Sequence, residues 1–96
     1  IDNSQISGST TGIFVNTPNA SSAARLNVNN TLIFNNATGL NGTGNFSRTF
    51  VNNSAIYRNT TGLVVSAGAQ VNSFGNNQLV DNTTPGAFTL PLLTPN

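Results

Sequence analysis

The stretch NNSAIYRNTTGL at residues 52–63 recurs as NNTLIFNNATGL at 29–40, DNSQISGSTTGI at 2–13 and GNNQLVDNTTPG at 75–86. The copies align on Asn3, Asn30, Asn53 and Asn76, separated by 27, 23 and 23 residues. A period in the twenties marks a solenoid, in which each copy is one coil of chain and covers the apolar face of the next. Aligned this way, Ile6, Ile33, Ile56 and Leu79 form one aliphatic column. Ile1, Val28, Val51 and Phe74 form a second. Ile13, Leu40 and Leu63 form a third, directly after Gly12, Gly39 and Gly62. In the fourth copy Pro85 is inserted, so that Gly86 and Phe88 continue the third column one residue late.

The apolar residues come in short groups separated by Asn, Thr and Gly, a pattern of brief strands joined by turns. β-branched and turn-forming residues are abundant and runs of strong helix formers are missing, which disfavours helix throughout. A coil of about 23 residues accommodates three short strands, here expected near residues 5–7, 12–15 and 25–28 and again in later copies. Equivalent strands would pair in parallel at roughly 4.8 Å, so that every column becomes a ladder. Membership of the third strand's columns stays open, because Leu26, Thr49 and Asn72 differ in polarity.

Composition narrows the range of functions. The 96 residues suit one domain, 1–96, and at this size a conventional globular core buries too little surface to be comfortably stable. The only charged side chains are Arg25, Arg48, Arg58, Asp2 and Asp81, and there is no His or Cys. Phosphate binding needs clustered positive charge, so nucleic acid is not an expected partner. No apolar run approaches the roughly 20 residues of a membrane span, so membrane insertion is not expected either. Without Cys there is neither a disulfide framework nor a thiolate metal site.

The repeated N-x-x-I/L-x-x-N-x-T-G-I/L pattern resembles the right-handed parallel β-helix family, the pectin-lyase-like solenoids of bacterial extracellular and surface proteins. The resemblance implies an all-β, right-handed parallel β-helix of about four coils. It also implies an extracellular or cell-surface location. In that family stacked turn asparagines form amide ladders, and the column Asn3, Asn30, Asn53, Asn76 is similar. An Asn amide both donates and accepts, so identical side chains at strand spacing can satisfy one another. The first copy departs from the pattern, being four residues longer within 16–24 and carrying Ser9 where later copies have Asn36, Asn59 and Asn82.

No catalytic, metal or cofactor site is expected. Asp2 and Asp81 are three copies apart, roughly 14 Å by rung spacing, whereas a glycosidase carboxylate pair needs about 5–9.5 Å. Arg48, Arg58 and Tyr57 are the candidate contacts for a polysaccharide, against the alternative that the arginines are merely hydrated. Arg25 and Arg48 share a column, and stacked like charges suggest outward positions. Tyr57 with Phe14, Phe34, Phe46 and Phe50 could offer a stacking surface for sugars, but most of them are expected to fill the interior or cover a strand face. Pairs such as Asn36 and Thr38, or Asn59 and Thr61, could order water as in ice-binding solenoids, but each precedes Gly and so suits a turn. Several Asn-x-Ser/Thr spellings match the glycosylation pattern, as expected by chance in so Asn-rich a chain.

The function expected is therefore non-enzymatic: a structural or adhesive solenoid module, either the C-terminal part of a longer solenoid or a self-stacking unit. Association is expected end to end, as a homo-oligomer or filament. Ile1 already lies within a coil, and Pro85, Pro91 and Pro95 with Leu90, Leu92 and Leu93 either close the last coil or accept Ile1 of another copy. The alternative is a carbohydrate-binding β-helix from a polysaccharide-processing protein, and less favoured is ice binding.

Overall fold

The computed structural model describes residues 1–17 and 23–89. Among the described residues ten short strands follow one another without a helix: β1 (Gln5–Ser7), β2 (Thr11–Asn16), β3 (Ala24–Asn29), β4 (Leu32–Phe34), β5 (Thr38–Thr43), β6 (Ser47–Asn52), β7 (Ala55–Tyr57), β8 (Thr61–Ser66), β9 (Gln70–Ser73) and β10 (Gln78–Val80). Every third strand is a neighbour in space. Sheet 1 has the order β1-β4-β7-β10, sheet 2 the order β2-β5-β8 and sheet 3 the order β3-β6-β9. All pairings are parallel. The chain is thus a parallel β-solenoid of about three turns, and among the described residues only sheet 1 has a fourth strand. The three strands expected in the first coil match β1, β2 and β3 to within one residue at each end.

Alternation within the strands builds the core. Ile6, Ile33, Ile56 and Leu79 stand opposite one another in sheet 1, and Ile13, Leu40 and Leu63 in sheet 2. Ile33, Ile56, Leu40, Val28, Val51 and Val71 are fully buried. Burial of each such side chain contributes roughly 1.5–3 kcal/mol before the entropy of ordering is subtracted.

Sheet 3 corrects one column assignment and settles another that the sequence left open. Val51 lies opposite Ser73, not Phe74, and Thr49 lies opposite Val71 instead of Asn72. The cause is turn length. Three residues separate Thr43 from Ser47 between β5 and β6, but only Ala67 and Gly68 lie between Ser66 and Ala69, both at positive φ (54° and 82°). Strand β9 therefore starts one residue early. Phe74 and Gly75 restore the lost residue, and Gln78 again sits 23 positions after its partner Ala55. The column Leu26, Thr49, Val71 points inward, which buries Val71 completely.

The fourth copy also departs from a strict repeat. Thr84 bridges Thr61, and the Pro85 carbonyl accepts the Leu63 amide at 2.9 Å, so Pro85 rather than Gly86 follows on beneath Gly62. No strand forms there. Proline has no N–H with which to extend a ladder. The chain instead crosses to sheet 3, where Thr89 bridges Asn72 and exchanges hydrogen bonds with Val71 at 2.8 and 3.0 Å. Phe88 packs against the core on the way. Residues 84–89 thereby cover the last strands of sheets 2 and 3, while β10 is the edge of sheet 1 among the described residues. Leu90, Pro91, Leu92, Leu93 and Pro95 lie outside the described residues, as does most of the four-residue enlargement within 16–24.

Candidate functional site

Two asparagine columns run along the solenoid at different corners. Asn36, Asn59 and Asn82 follow sheet 1 and face inward; Asn36 and Asn59 are only 3% and 2% exposed. The Asn59 amide oxygen accepts both the backbone N–H of Asn36 at 3.0 Å and its Nδ2 at 3.1 Å. Asn82 does the same for Asn59, at 3.0 Å in both bonds. The Nδ2 atoms also donate to the carbonyls of Ile6, Ile33 and Ile56, one rung back and three residues earlier in the repeat. The Asn36 and Asn59 side chains therefore each tie three consecutive rungs together, and Asn82 ties the last two. Ser9 holds the equivalent position in the first coil and donates its backbone N–H to the Asn36 amide oxygen at 3.0 Å.

The glycine column exists because of this ladder. Gly12, Gly39 and Gly62 lie inside β2, β5 and β8 and not in turns, and none has a positive φ. A Cβ at Gly39 would come within 2.8 Å of the Gly62 carbonyl oxygen and 2.9 Å of Asn59 Nδ2. The same crowding recurs at Gly12 against Asn36 and at Gly62 against Asn82. Glycine is required by the close approach of side-chain amide and backbone.

The column Asn3, Asn30, Asn53, Asn76 is exposed and sits at the corner before sheet 1. Its first three members have φ of 51°, 51° and 47°, a left-handed conformation that Asn tolerates better than most residues. Its amide bonds are less regular. Asn53 Nδ2 donates to Asn30 Oδ1 at 2.6 Å, Asn30 reaches the Asp2 carboxylate at 3.4 Å, and Asn76 reaches Asn52 Oδ1 at 2.7 Å. Just after it runs a polar column that sequence comparison did not single out, Ser4, Thr31, Ser54 and Asn77. Thr31 and Ser54 are buried and return their hydroxyls to the carbonyls of Asn29 and Asn52, two residues back. The signal was present in the Asn-Ser and Asn-Thr dipeptides, since such hydroxyls commonly satisfy turn carbonyls.

The candidate saccharide contacts lie on separate surfaces. Arg48 stands opposite Arg25 on sheet 3, both exposed. Tyr57 is on sheet 1, where its ring stacks on Phe34 with centroids 5.2 Å apart and planes 13° apart. Arg58 follows at a corner with φ 54° and meets Asp81 at 3.5 Å, with both side chains largely in solvent. The aromatic residues cover strand faces and turns instead of filling the interior: Phe14 and Phe46 are 59% and 48% exposed, and Phe34, Phe50 and Tyr57 are half-buried. Thr11, Thr38 and Thr61 are also half-buried, while the Asn two positions before each of the latter two turns inward. Those Asn and Thr side chains do not form one outward rank.

On the same outer face of sheet 1, Gln5, Leu32, Ala55 and Gln78 form the column parallel to Ser7, Phe34, Tyr57 and Val80. Ala55 is the short member between Leu32 and Gln78. Over it opens a groove of about 230 Å³ lined by Leu32, Asn53, Ser54, Ala55, Asn76 and Gln78.

These features define a parallel β-solenoid repeat protein whose recurrent residues are explained by the stacking of its own coils. No protein-family model, curated protein or solved structure matches the chain.

Proposed function

We propose that this chain is a non-enzymatic structural or adhesive solenoid module of a pectin-lyase-like, right-handed parallel β-helix, acting outside the cell or at a bacterial surface. The observation that carries the reading is the buried Asn36, Asn59, Asn82 ladder, in which each rung presents acceptors to one neighbour and donors to the next. Such a device propagates a rod. Right-handed winding is the expected sense because crossover connections between parallel strands are right-handed in nearly all cases.

End-to-end stacking between copies belongs to this proposal. The edge strand β10 carries Leu79 flanked by Asn76 and Asn82, the same order of column residues that β4 and β7 carry inside the stack. Strand β1 of a second copy is the partner it fits. Among the described residues β10 has no second neighbour, and a parallel edge of this kind is a template for another strand. Sedimentation velocity and electron microscopy at micromolar concentration test it: concentration-dependent growth that strengthens with Ser9→Asn, which restores the missing ladder amide, is expected. A monomer that does not grow, with or without Ser9→Asn, rejects the stacking.

A second reading, carbohydrate binding, is favoured by the outward Phe34 and Tyr57 stack, because aromatic faces in a row offer apolar surface to the C–H faces of sugar rings. In that reading Tyr57 and Arg58 act from sheet 1 and Arg48 from sheet 3. Calorimetry with acidic and neutral polysaccharides tests it, and binding lost on Arg48→Ala or Tyr57→Ala is the expected result.

A further inference from the structure

We infer that the groove over Ala55 seats a neutral hexopyranose unit, with the chain of a neutral glycan running across the outer face of sheet 1. The inference rests on the carbohydrate reading and gives it a site that does not involve arginine. Three observations meet there. The first is a floor and wall of apolar surface, Ala55 and Leu32, the latter 37% exposed. The second is a rim of amides from Asn53, Asn76 and Gln78. The Asn53 Nδ2 and both ends of the Asn76 amide already bond to neighbouring asparagines. The Gln78 side-chain amide makes no hydrogen bond among the described residues, so it has donors and an acceptor for sugar hydroxyls. The third is the Phe34 and Tyr57 stack, which shares the same face two residues along each strand, roughly 7 Å away.

The charge of the site selects the ligand class. All six lining residues are uncharged, and Arg58 lies beyond the aromatic column, already paired with Asp81. A carboxylated sugar would leave water at this groove without gaining a cation, whereas a neutral sugar gives up only hydroxyl hydration, which the Gln78 amide replaces in part. An apolar floor beneath convergent polar groups is the usual composition of a small-ligand site.

Tyr57 is the only tyrosine and there is no tryptophan, so its emission reports on this face. The experiment titrates the full chain with cellohexaose as the neutral probe and hexagalacturonic acid as the acidic one, by calorimetry and tyrosine fluorescence. The expected result is saturable binding of cellohexaose with a change in Tyr57 emission. Ala55→Phe fills the groove and should weaken binding at least about tenfold, a change of about 1.4 kcal/mol. Gln78→Ala, at an exposed position, should weaken binding severalfold and serves if Ala55→Phe fails to fold by circular dichroism. Cellohexaose binding that survives both substitutions in folded protein overturns the site. Binding of hexagalacturonic acid alone, lost on Arg48→Ala, keeps the carbohydrate reading and rejects this groove. Failure of both probes up to about 10 mM, a range that includes weak single-site affinities, rejects both.

Discussion

Asn59 and Asn53 carry the same side chain, recur with the same 23-residue spacing and stand six residues apart, yet their positions demand different things of them. Asn59 is 2% exposed and its amide joins two neighbouring rungs through four hydrogen bonds. Asn53 is exposed, holds φ at 47° and makes one side-chain bond, to Asn30. The inward corner selects Asn for its hydrogen-bonding capacity, because a buried amide or carbonyl without a partner is expensive. The outward corner selects it for its backbone, because Asn enters the left-handed region at lower energy than other side chains do. Periodicity alone makes the two columns look equivalent.

The sharpest way to break this comparison is Asn59→Ala. It leaves the N–H and Nδ2 of Asn36 and the Ile33 carbonyl without their buried partner, so a loss of roughly 3–5 kcal/mol is expected. For a domain of this size that corresponds to a fall in Tm of more than about 12 °C, read by circular dichroism. A melting point equal to that of Asn53→Ala would erase the distinction between the columns.

Gly39→Ala tests the same inward corner from the other side. The added methyl meets the Gly62 carbonyl and the Asn59 amide, and backbone cannot give way as a flexible side chain could. Overpacking of this kind should destabilise by about 1–3 kcal/mol. The effect should shrink when it is combined with Asn59→Ala, since the two substitutions share a contact and are not additive. Strict additivity in the double mutant would show that the glycine and the amide are independent.

At the outward corner the order of effects should reverse with chemistry. Asn53→Gly should remain within about 0.5 kcal/mol of the parent, while Asn53→Ala should lose about 1–2 kcal/mol because alanine resists a positive φ. Asn45→Ala, at an exposed turn without positive φ, should lose less than either Asn53→Ala or Asn59→Ala. If Asn53→Gly proves as damaging as Asn53→Ala, the side-chain bond to Asn30, not the backbone, governs this corner.

The smallest effect is expected at Arg58. Its ion pair with Asp81 is largely in solvent and worth at most a fraction of a kcal/mol. Arg58→Gly removes that pair but also relieves a positive φ at an arginine, so melting should stay level or rise slightly. A pronounced fall that salt reproduces in the parent chain would instead assign the corner's stability to the charges.

Much of this was legible in the repeat. Ile33, Ile56 and Leu79 fall in one register because a 23-residue period survives intact at sheet 1, and Ile6 joins them because the four extra residues of the first coil lie outside its strand. Sheet 3 was harder to read, since a turn shortened by one residue and a compensating residue at Phe74 and Gly75 leave the overall period unchanged while shifting everything between them. The groove over Ala55 was not legible at all. It arises because the short Ala55 side chain lies between Leu32 and Gln78, each 23 positions away in sequence but adjacent to it in one column.

The sequence by itself determined that the chain winds into coils of short strands, because apolar, turn-forming and amide residues recur together at one period and each coil can bury its apolar face only on the next. Tertiary structure alone decided which asparagines are buried, why glycine stands inside strands, and how residues 84–89 cross from sheet 2 to sheet 3. Those outcomes depend on distances between rungs. A one-residue change in a turn, or a methyl group placed 2.8 Å from a carbonyl oxygen, leaves the repeat pattern intact while deciding which contacts can form.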